Sequence, residues 1–438
     1  MIISGELSPK QRKRSQHAML CFDCINGLSY MCLGETIIIL LAVRLGCPDY
    51  VISTLGALIF LSYVLLPFGK FVAARVGAAW CQGVFWVARN IAALVVASSV
   101  LWSRYGYPGI ATASLLTGAM VFYGCRAAGI VMTQPLAGNV STEEERATFL
   151  ANKSMLAYLG NLIALIGISA YLMHQEGIWP LFWVVIAGIV FGLTATTFLR
   201  QVVESESLRL AAAKPLWNGV VWTFRDSTAR KQILSTLCWN MIHIMTVPIS
   251  MLVVKRGYGV SDLDALAYSV AQTLGSVLVP KLAVPLMHRY GPRKMLMCYY
   301  LLYLFLAAGW VFSPDTPHNL FLFPAFFLFG GMRANGENAN THYFLQTVEP
   351  AHQVNAAITI ATCAGCIGGF LASTLAGYLL NFTEKFFPGE GVYHYRFYFL
   401  FATIILLPGY LTILTLKPLP KEKRLFNLHW HPFWHHRG

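Results

Sequence analysis

Gly124-Cys125-Arg126-Ala127-Ala128-Gly129 returns further along the chain as Gly331-Met332-Arg333-Ala334-Asn335-Gly336. Each copy sets an Arg-x-x-Gly inside a long apolar run, where a charged side chain is costly unless it faces a cavity or a partner. The surroundings repeat in the same order. Ala74-Arg75-Val76-Gly77 corresponds to His288-Arg289-Tyr290-Gly291, and Thr133 through Asn139-Val140-Ser141 to Glu145-Arg146 corresponds to Thr341 through Thr347-Val348-Glu349 to Gln353-Val354. A shared order at nearly constant separation marks two related halves, a common plan for transport proteins.

The apolar runs around these copies decide the class. Of 438 residues, 56% are hydrophobic and 12% charged, about half the charged share of an ordinary soluble domain. The runs reach about 20 residues or more, the length of a membrane-crossing helix, and they do not alternate in polarity as barrel strands would. Twelve spans are expected, at about 17–45, 50–72, 77–102, 108–136, 150–173 and 178–199, then 232–254, 262–287, 294–313, 319–345, 353–380 and 395–416. The domain reading is a six-helix bundle over 1–199, a polar linker over 200–231, a second bundle over 232–416 and a tail over 417–438. The fold class is all-α membrane protein, two pseudo-symmetric six-helix bundles.

Net charge is +13, but it is explained by topology rather than by nucleic acid. Lys10, Arg12, Lys13, Arg14, Lys70, Arg75, Arg146, the linker cluster, Arg289, Arg293, Lys294, Lys417, Lys421, Lys423 and Arg424 fall on one side of the twelve-span layout. Arg44, Arg104, Lys255, Arg256 and Lys385 are the few on the other. Positive charge collects inside, so both termini are expected in the cytoplasm. No cleavable leader is expected, because the first apolar run is too long for one. The short loops and compact termini suggest a bacterial inner membrane, where the Asn381-Phe382-Thr383 sequon would be silent. The pairs Cys21/Cys24 and Cys363/Cys366 lie in spans without nearby histidines and read as buried small side chains, not metal ligands. His429-Trp430-His431-Pro432-Phe433-Trp434-His435-His436 reads as an aromatic, basic segment at the membrane interface, with a metal site as the lesser alternative. No cofactor is expected. HExxH, GxSxG and clustered acidic metal sets are missing from the sequence, which argues against an enzyme.

The architecture resembles the major facilitator superfamily across nearly the whole chain. That family's loop signature, Gly-x-Leu-x-Asp-Arg-x-Gly-Arg-Arg, is matched in the second half by Leu286, Arg289, Gly291 and Arg293, with His288 at the Asp position and Val284 at the Gly position. The first half keeps Arg75 and Gly77, with Ala74 at the Asp position. The resemblance implies that these loops gate the cytoplasmic side through charge pairs, and the acids of that lock are replaced. Thr142-Glu143-Glu144-Glu145-Arg146 resembles the family's 4–5 loop. Arg126-Ala127-Ala128-Gly129 resembles a helix-four motif of proton-coupled members. The Gly-Pro-rich helix-five motif of drug–proton antiporters is replaced by Tyr158-Leu159-Gly160-Asn161-Leu162.

Intramembrane polar residues supply the candidate site. Asp23, Glu35, Arg89, Arg126, His243, Arg333 and Glu337 lie well inside spans, while Lys153 and Lys281 sit nearer ends where they can snorkel. Helical spacing puts Asp23, Asn26 and Tyr30 on one stripe, with Glu35 about a third of a turn away. Asn240 and His243 share a face of span seven, and Gln272 faces inward from span eight. Arg333, Glu337 and Asn340 share a face of span ten, with Asn335, Asn338 and His342 opposite. The expected substrate-binding set is Arg126, Arg333, Asn26, Tyr30, Asn240, His243, Gln272, Glu337 and Asn340. Asp23, Glu35 and Glu337 are the proton-coupling candidates, with Asp23 paired to Arg126 as a relay. Arg75, Gly77, Arg289, Gly291 and Arg293 are the gating-loop set. Arg333 and Glu337 can equally form a structural ion pair, Asp23 can be a satisfied buried group, and His243 a neutral hydrogen-bonder. The sharper hypothesis has Arg126 and Arg333 gripping an anion from opposite walls. The expected function is a secondary active transporter moving a small polar, anionic solute by alternating access with proton coupling, acting as a monomer in the lipid bilayer. A transporter-fold sensor or an amphiphile translocator is the alternative.

Overall fold

The computed structural model describes residues 1–173, 175, 177–389 and 391–419. The His/Trp-rich tail, including His429 and Trp430, lies outside the described residues. Among the described residues, ten helical columns are long and apolar enough to cross a bilayer: Pro9–Arg44, Ala78–Arg104, Pro108–Val140, Glu143–Leu172, Trp179–Leu199, Ser227–Gly257, Asp264–Tyr290, Pro292–Val311, Pro350–Phe386 and Tyr393–Leu414. Two more complete the twelve. Span 2 runs through Asp49–Leu61, a tight turn at Ser62–Leu65 and Leu66–Val76. Span 10 is Asn319–Thr347 and carries Arg333, Glu337 and several asparagines. Leu320, Leu282, Tyr378, Phe370 and Met120 stand 92, 71, 72, 65 and 64% exposed. Large apolar side chains displayed on this scale suit a lipid solvent, not water.

Span 1 starts at Pro9, earlier than its hydropathy suggests. Ser8 caps it in a reciprocal box with Gln11, so the basic residues of the arm occupy helical turns rather than a loop. Span 1 also breaks at Gly34, whose extended backbone ends Pro9–Leu33 and starts Glu35–Arg44. The break resets helical phase, so the spacing argument that turned Glu35 away from the Asp23 stripe does not apply. Glu35 instead opens the second segment, where a carboxylate meets the positive end of a helix.

Backbone contact holds the helices together. A Cβ on Gly160 would lie 2.1 Å from the Cys24 carbonyl oxygen, and one on Gly27 would lie 2.3 Å from that of Ala157, so spans 1 and 5 approach reciprocally. Spans 8 and 10 do the same through Gly275 against Phe327 and Gly330 against Gln272. Without a hydrophobic drive between helices in lipid, such close approach supplies the packing.

The two halves meet at the face that carries the chain ends of both bundles, here the terminal face. Val354 and Ile358 of span 11 join the apolar core formed by Met19, Ala73, Leu136 and Phe149 of the first half. Gln134 meets Thr341 at 3.3 Å, Ser154 Asn338 at 2.7 Å, Thr148 His288 at 3.4 Å and Glu143 Gln346 at 3.1 Å. All four lie toward the terminal face.

The expected linker begins with a docked segment. Ile2–Ile3 pairs in parallel with Glu204–Ser205, and the Met1 amine donates to the Val202 carbonyl at 2.9 Å. Glu204 is wholly buried and accepts from the Ala78 N–H at 2.8 Å, at the start of span 3. Gly77 permits this twice over: its φ is 93°, and a Cβ there would meet Glu204 at 2.3 Å. So an acid does serve the first-half loop, arriving from the linker rather than from the loop signature. Two short helices, Glu206–Ala213 and Leu216–Arg225, complete the connection.

Two outcomes follow. Gly160→Val should lower stability by about 2 kcal/mol, since overpacking against backbone cannot relax cheaply, whereas Gly167→Ala, with nothing within 4 Å, should be near neutral in thermal melts. Burial holds the Glu204 carboxyl above its ordinary value of 4.5, against the opposing pull of the Ala78 and Ala79 amides, the N-terminal amine and Arg209. A raised folded value means the docked state binds its proton more tightly. Its stability contribution is therefore full at low pH and is lost as pH rises above 4.5 through the docked group's titration. Melts against pH should show the parent losing stability relative to Glu204→Gln as pH rises.

Candidate functional site

A central cavity of about 720 Å³ lies between the bundles, closed on the terminal face by the contacts above. Arg126, Asn26, Tyr30, Asn240, Gln272, Arg333, Glu337 and Asn340 line it. Each comes from the middle of its span, and both halves contribute.

Arg126 is the residue to explain. Its guanidinium lies over the Tyr30 ring at 5.5 Å and forms no ion pair among the described residues. Cation–π contact offsets part of the cost of its charge, and the remainder falls to whatever fills the cavity. Arg333 differs: its Nε lies 3.3 Å from Glu337 Oε1, with the two side chains 42 and 52% exposed to the cavity. The pair is intrahelical, one turn apart, as the spacing predicts.

Asn26 has a fixed direction. Its Oδ1 accepts from Trp86 Nε1 at 2.7 Å and from Arg89 Nη2 at 3.3 Å. With the oxygen engaged from behind, the amide nitrogen is the group left for the cavity. Arg89 is 1% exposed, stacked near Trp86 and Phe122, and also bonded to Ser29 at 3.1 Å. It does not line the cavity; it orients a residue that does. On the opposite wall Asn240 donates to the Ala364 carbonyl at 2.9 Å, and Asn340 is held by Thr236 at 3.1 Å.

Several expectations need correction. Asp23 pairs with Lys153 at 3.2 Å, not with Arg126. Lys153 therefore does not snorkel; it lines the cavity from ten residues inside span 5, where a buried carboxylate compensates it. Asp23, 7% exposed, sits behind the lining. Glu35 also stays off the lining, though within electrostatic reach of Arg126. His243 does not reach the cavity. Its Nδ1 meets the Tyr303 hydroxyl at 3.1 Å, at the edge of the second-half core. On span 10, Asn338 reaches Ser154 of the other half, Asn335 bonds back to Gly331, and His342 faces a separate pocket.

Sequence reasoning passed over Tyr63, Lys153, Ser154, Tyr158 and Asn161, which all line the cavity. Ser154, Tyr158 and Asn161 follow steps of four and three, a polar stripe on span 5 that spacing alone could have found. In the gating set, Gly77 and Gly291 are the N-caps of spans 3 and 9, with φ of 93° and 80°, so the repeat extends to backbone conformation. Arg75 is exposed, Arg289 lies against Tyr290, and Arg293 donates to the Leu414 carbonyl at 2.8 Å.

A search of curated proteins finds no significant sequence match. Solved structures match by fold. The proton:xylose symporter XylE bound to 6-bromo-6-deoxy-D-glucose is 10% identical with a TM-score of 0.72, over 96% of this chain and 100% of that one. A bacterial homologue of the iron transporter ferroportin in an outward-facing state is 12% identical with a TM-score of 0.68, over 92% and 98%. The human organic anion transporter MFSD10 is 10% identical with a TM-score of 0.64, over 93% and 100%. These identities establish the fold alone. The sequence profile of the Major Facilitator Superfamily matches residues 24–373 and 232–436, and with twelve spans in two bundles around one cavity, the chain belongs to the major facilitator superfamily.

Proposed function

We propose that this integral multi-pass membrane protein is a secondary active transporter that moves a small polar, anionic solute by alternating access, coupled to protons. The observation that carries the reading is Arg126, a cation in the central cavity that forms no ion pair among the described residues. Four basic groups, Arg89, Arg126, Lys153 and Arg333, surround the cavity or stand behind it, against three acids, Asp23, Glu35 and Glu337. A bound anion would cancel the excess and accept bidentate hydrogen bonds from Arg126. The Asn26 amide and the Tyr30 ring would position it from the first half. Arg333, Asn240, Gln272 and Asn340 would close on it from the second, with Glu337 swinging between Arg333 and the solute.

Coupling requires a group whose proton depends on access. Asp23 is held by Lys153, and Glu35 and Glu337 each feel an arginine. Arrival of an anion at Arg126 would weaken Glu35's hold on that charge and favour its protonation. With the terminal face in the cytoplasm, as the basic residues indicate, the polar clamps at Gln134, Ser154, Thr148 and Glu143 would form the inner gate. The reading takes the protein as a monomer of a bacterial inner membrane, neither an enzyme nor a nucleic-acid binder.

Reconstituted protein should show saturable counterflow of an acidic solute. Arg126→Gln should cut uptake by about a hundredfold, the loss of one buried charge-assisted pair, with the melting temperature held. Binding with no flux in the parent would mean a sensor. An imposed inward-acid gradient should drive accumulation, and Glu35→Gln should leave counterflow but abolish that drive. Accumulation indifferent to the gradient at every pH would end the coupling proposal.

A further inference from the structure

A second cavity, of about 340 Å³, lies at the terminal face, away from the transport site. The 4–5 loop of the first half contributes Glu143 and Arg146. The second half contributes His288, Arg289 and Gly291 from the 8–9 loop, and Gln346 from the end of span 10. Neither arginine forms an ion pair among the described residues. Arg146 keeps only a long 3.5 Å bond from Nη2 to the Ser141 carbonyl, and its buried Nε has no partner. Arg289 rests on the Tyr290 ring at 5.3 Å, and His288 meets Thr148 at 3.4 Å. The one carboxylate of the group among the described residues, Glu143, is turned to Gln346 at 3.1 Å. Span 9 begins at the same place, with Gly291 as an N-cap that offers no side chain.

We propose that this pocket binds a phosphate group, with Arg146 and Arg289 as a two-sided clamp. Two guanidinium forks match the several oxygens of phosphate better than the two of a carboxylate. The walls come from both halves, so the site exists only while the terminal face is closed, and an occupant favours that state. The phosphate can belong to an anionic lipid headgroup or to a soluble anion. Leu286 and Leu282, 46 and 71% exposed on the helix that carries the pocket-lining Met287, give that helix an apolar surface for the former.

The test measures hydrogen exchange and calorimetric binding on the full chain. Sodium phosphate is added to protein in detergent, and nanodiscs of phosphatidylcholine are compared with nanodiscs that also contain phosphatidic acid. Protection is expected at 141–146 and 288–291. Phosphate alone sufficing identifies a soluble source, and a response confined to phosphatidic acid identifies a lipid. Arg289→Gln or Arg146→Gln should weaken binding about tenfold or more. Glu143→Gln, which removes the opposing charge, should tighten it several-fold and carries the test should either arginine variant fail to fold. No protection with either probe overturns the proposal, as does unchanged affinity in the Glu143→Gln protein. A signal lost on Arg126→Gln but kept on Arg289→Gln belongs to the central cavity and overturns it too.

Discussion

A charged side chain cannot rest in hydrocarbon, and from that constraint the rest of this structure follows. Arg126 and Arg333 sit in the middle of apolar helices, so each must face water, a partner or a ligand. Two six-helix bundles that share one polar pocket provide the water. Arg333 then takes Glu337 as a partner, while Arg126 has a tyrosine face and open cavity. The related halves thus carry the same arginine in different electrostatic states. That difference makes the site asymmetric and leaves one wall ready for an anion.

The closed face shows how the halves hold together without the charge lock of the family's loops. His288 stands where that signature has an acid, and its partner is a threonine hydroxyl. Neutral polar pairs such as Gln134–Thr341 and Ser154–Asn338 are each worth about 1 kcal/mol net. A gate built of such pairs opens at low cost, which suits a protein that must alternate. The first-half loop keeps a carboxylate, Glu204, but spends it within its own bundle on the start of span 3.

Much of this was legible in the residues. Apolar run length revealed the spans, and the twin Arg-x-x-Gly revealed the halves. The stripe of Asn26 and Tyr30, and that of Arg333, Glu337 and Asn340, fall on the cavity because helical period alone decides which residues share a face. What escaped depends on distance rather than period. No local pattern says that Lys153 comes from another helix to take Asp23, leaving Arg126 without it. The break at Gly34 voids the phase on which Glu35 was placed, and the occupation of the Asn26 oxygen by Trp86 and Arg89 needs two spans in register. His243 shows the converse limit. It is inside its helix bundle and on the stripe of Asn240, yet three residues further along the helix it meets Tyr303 rather than the cavity.

The central claim is tested most directly by an experimental density map of the protein with an acidic solute bound. The account predicts ligand density against the Arg126 guanidinium, bridging to residues of the second bundle such as Arg333 or Asn240. Density elsewhere, or Arg126 turned away to a protein carboxylate while the solute is bound, would contradict it.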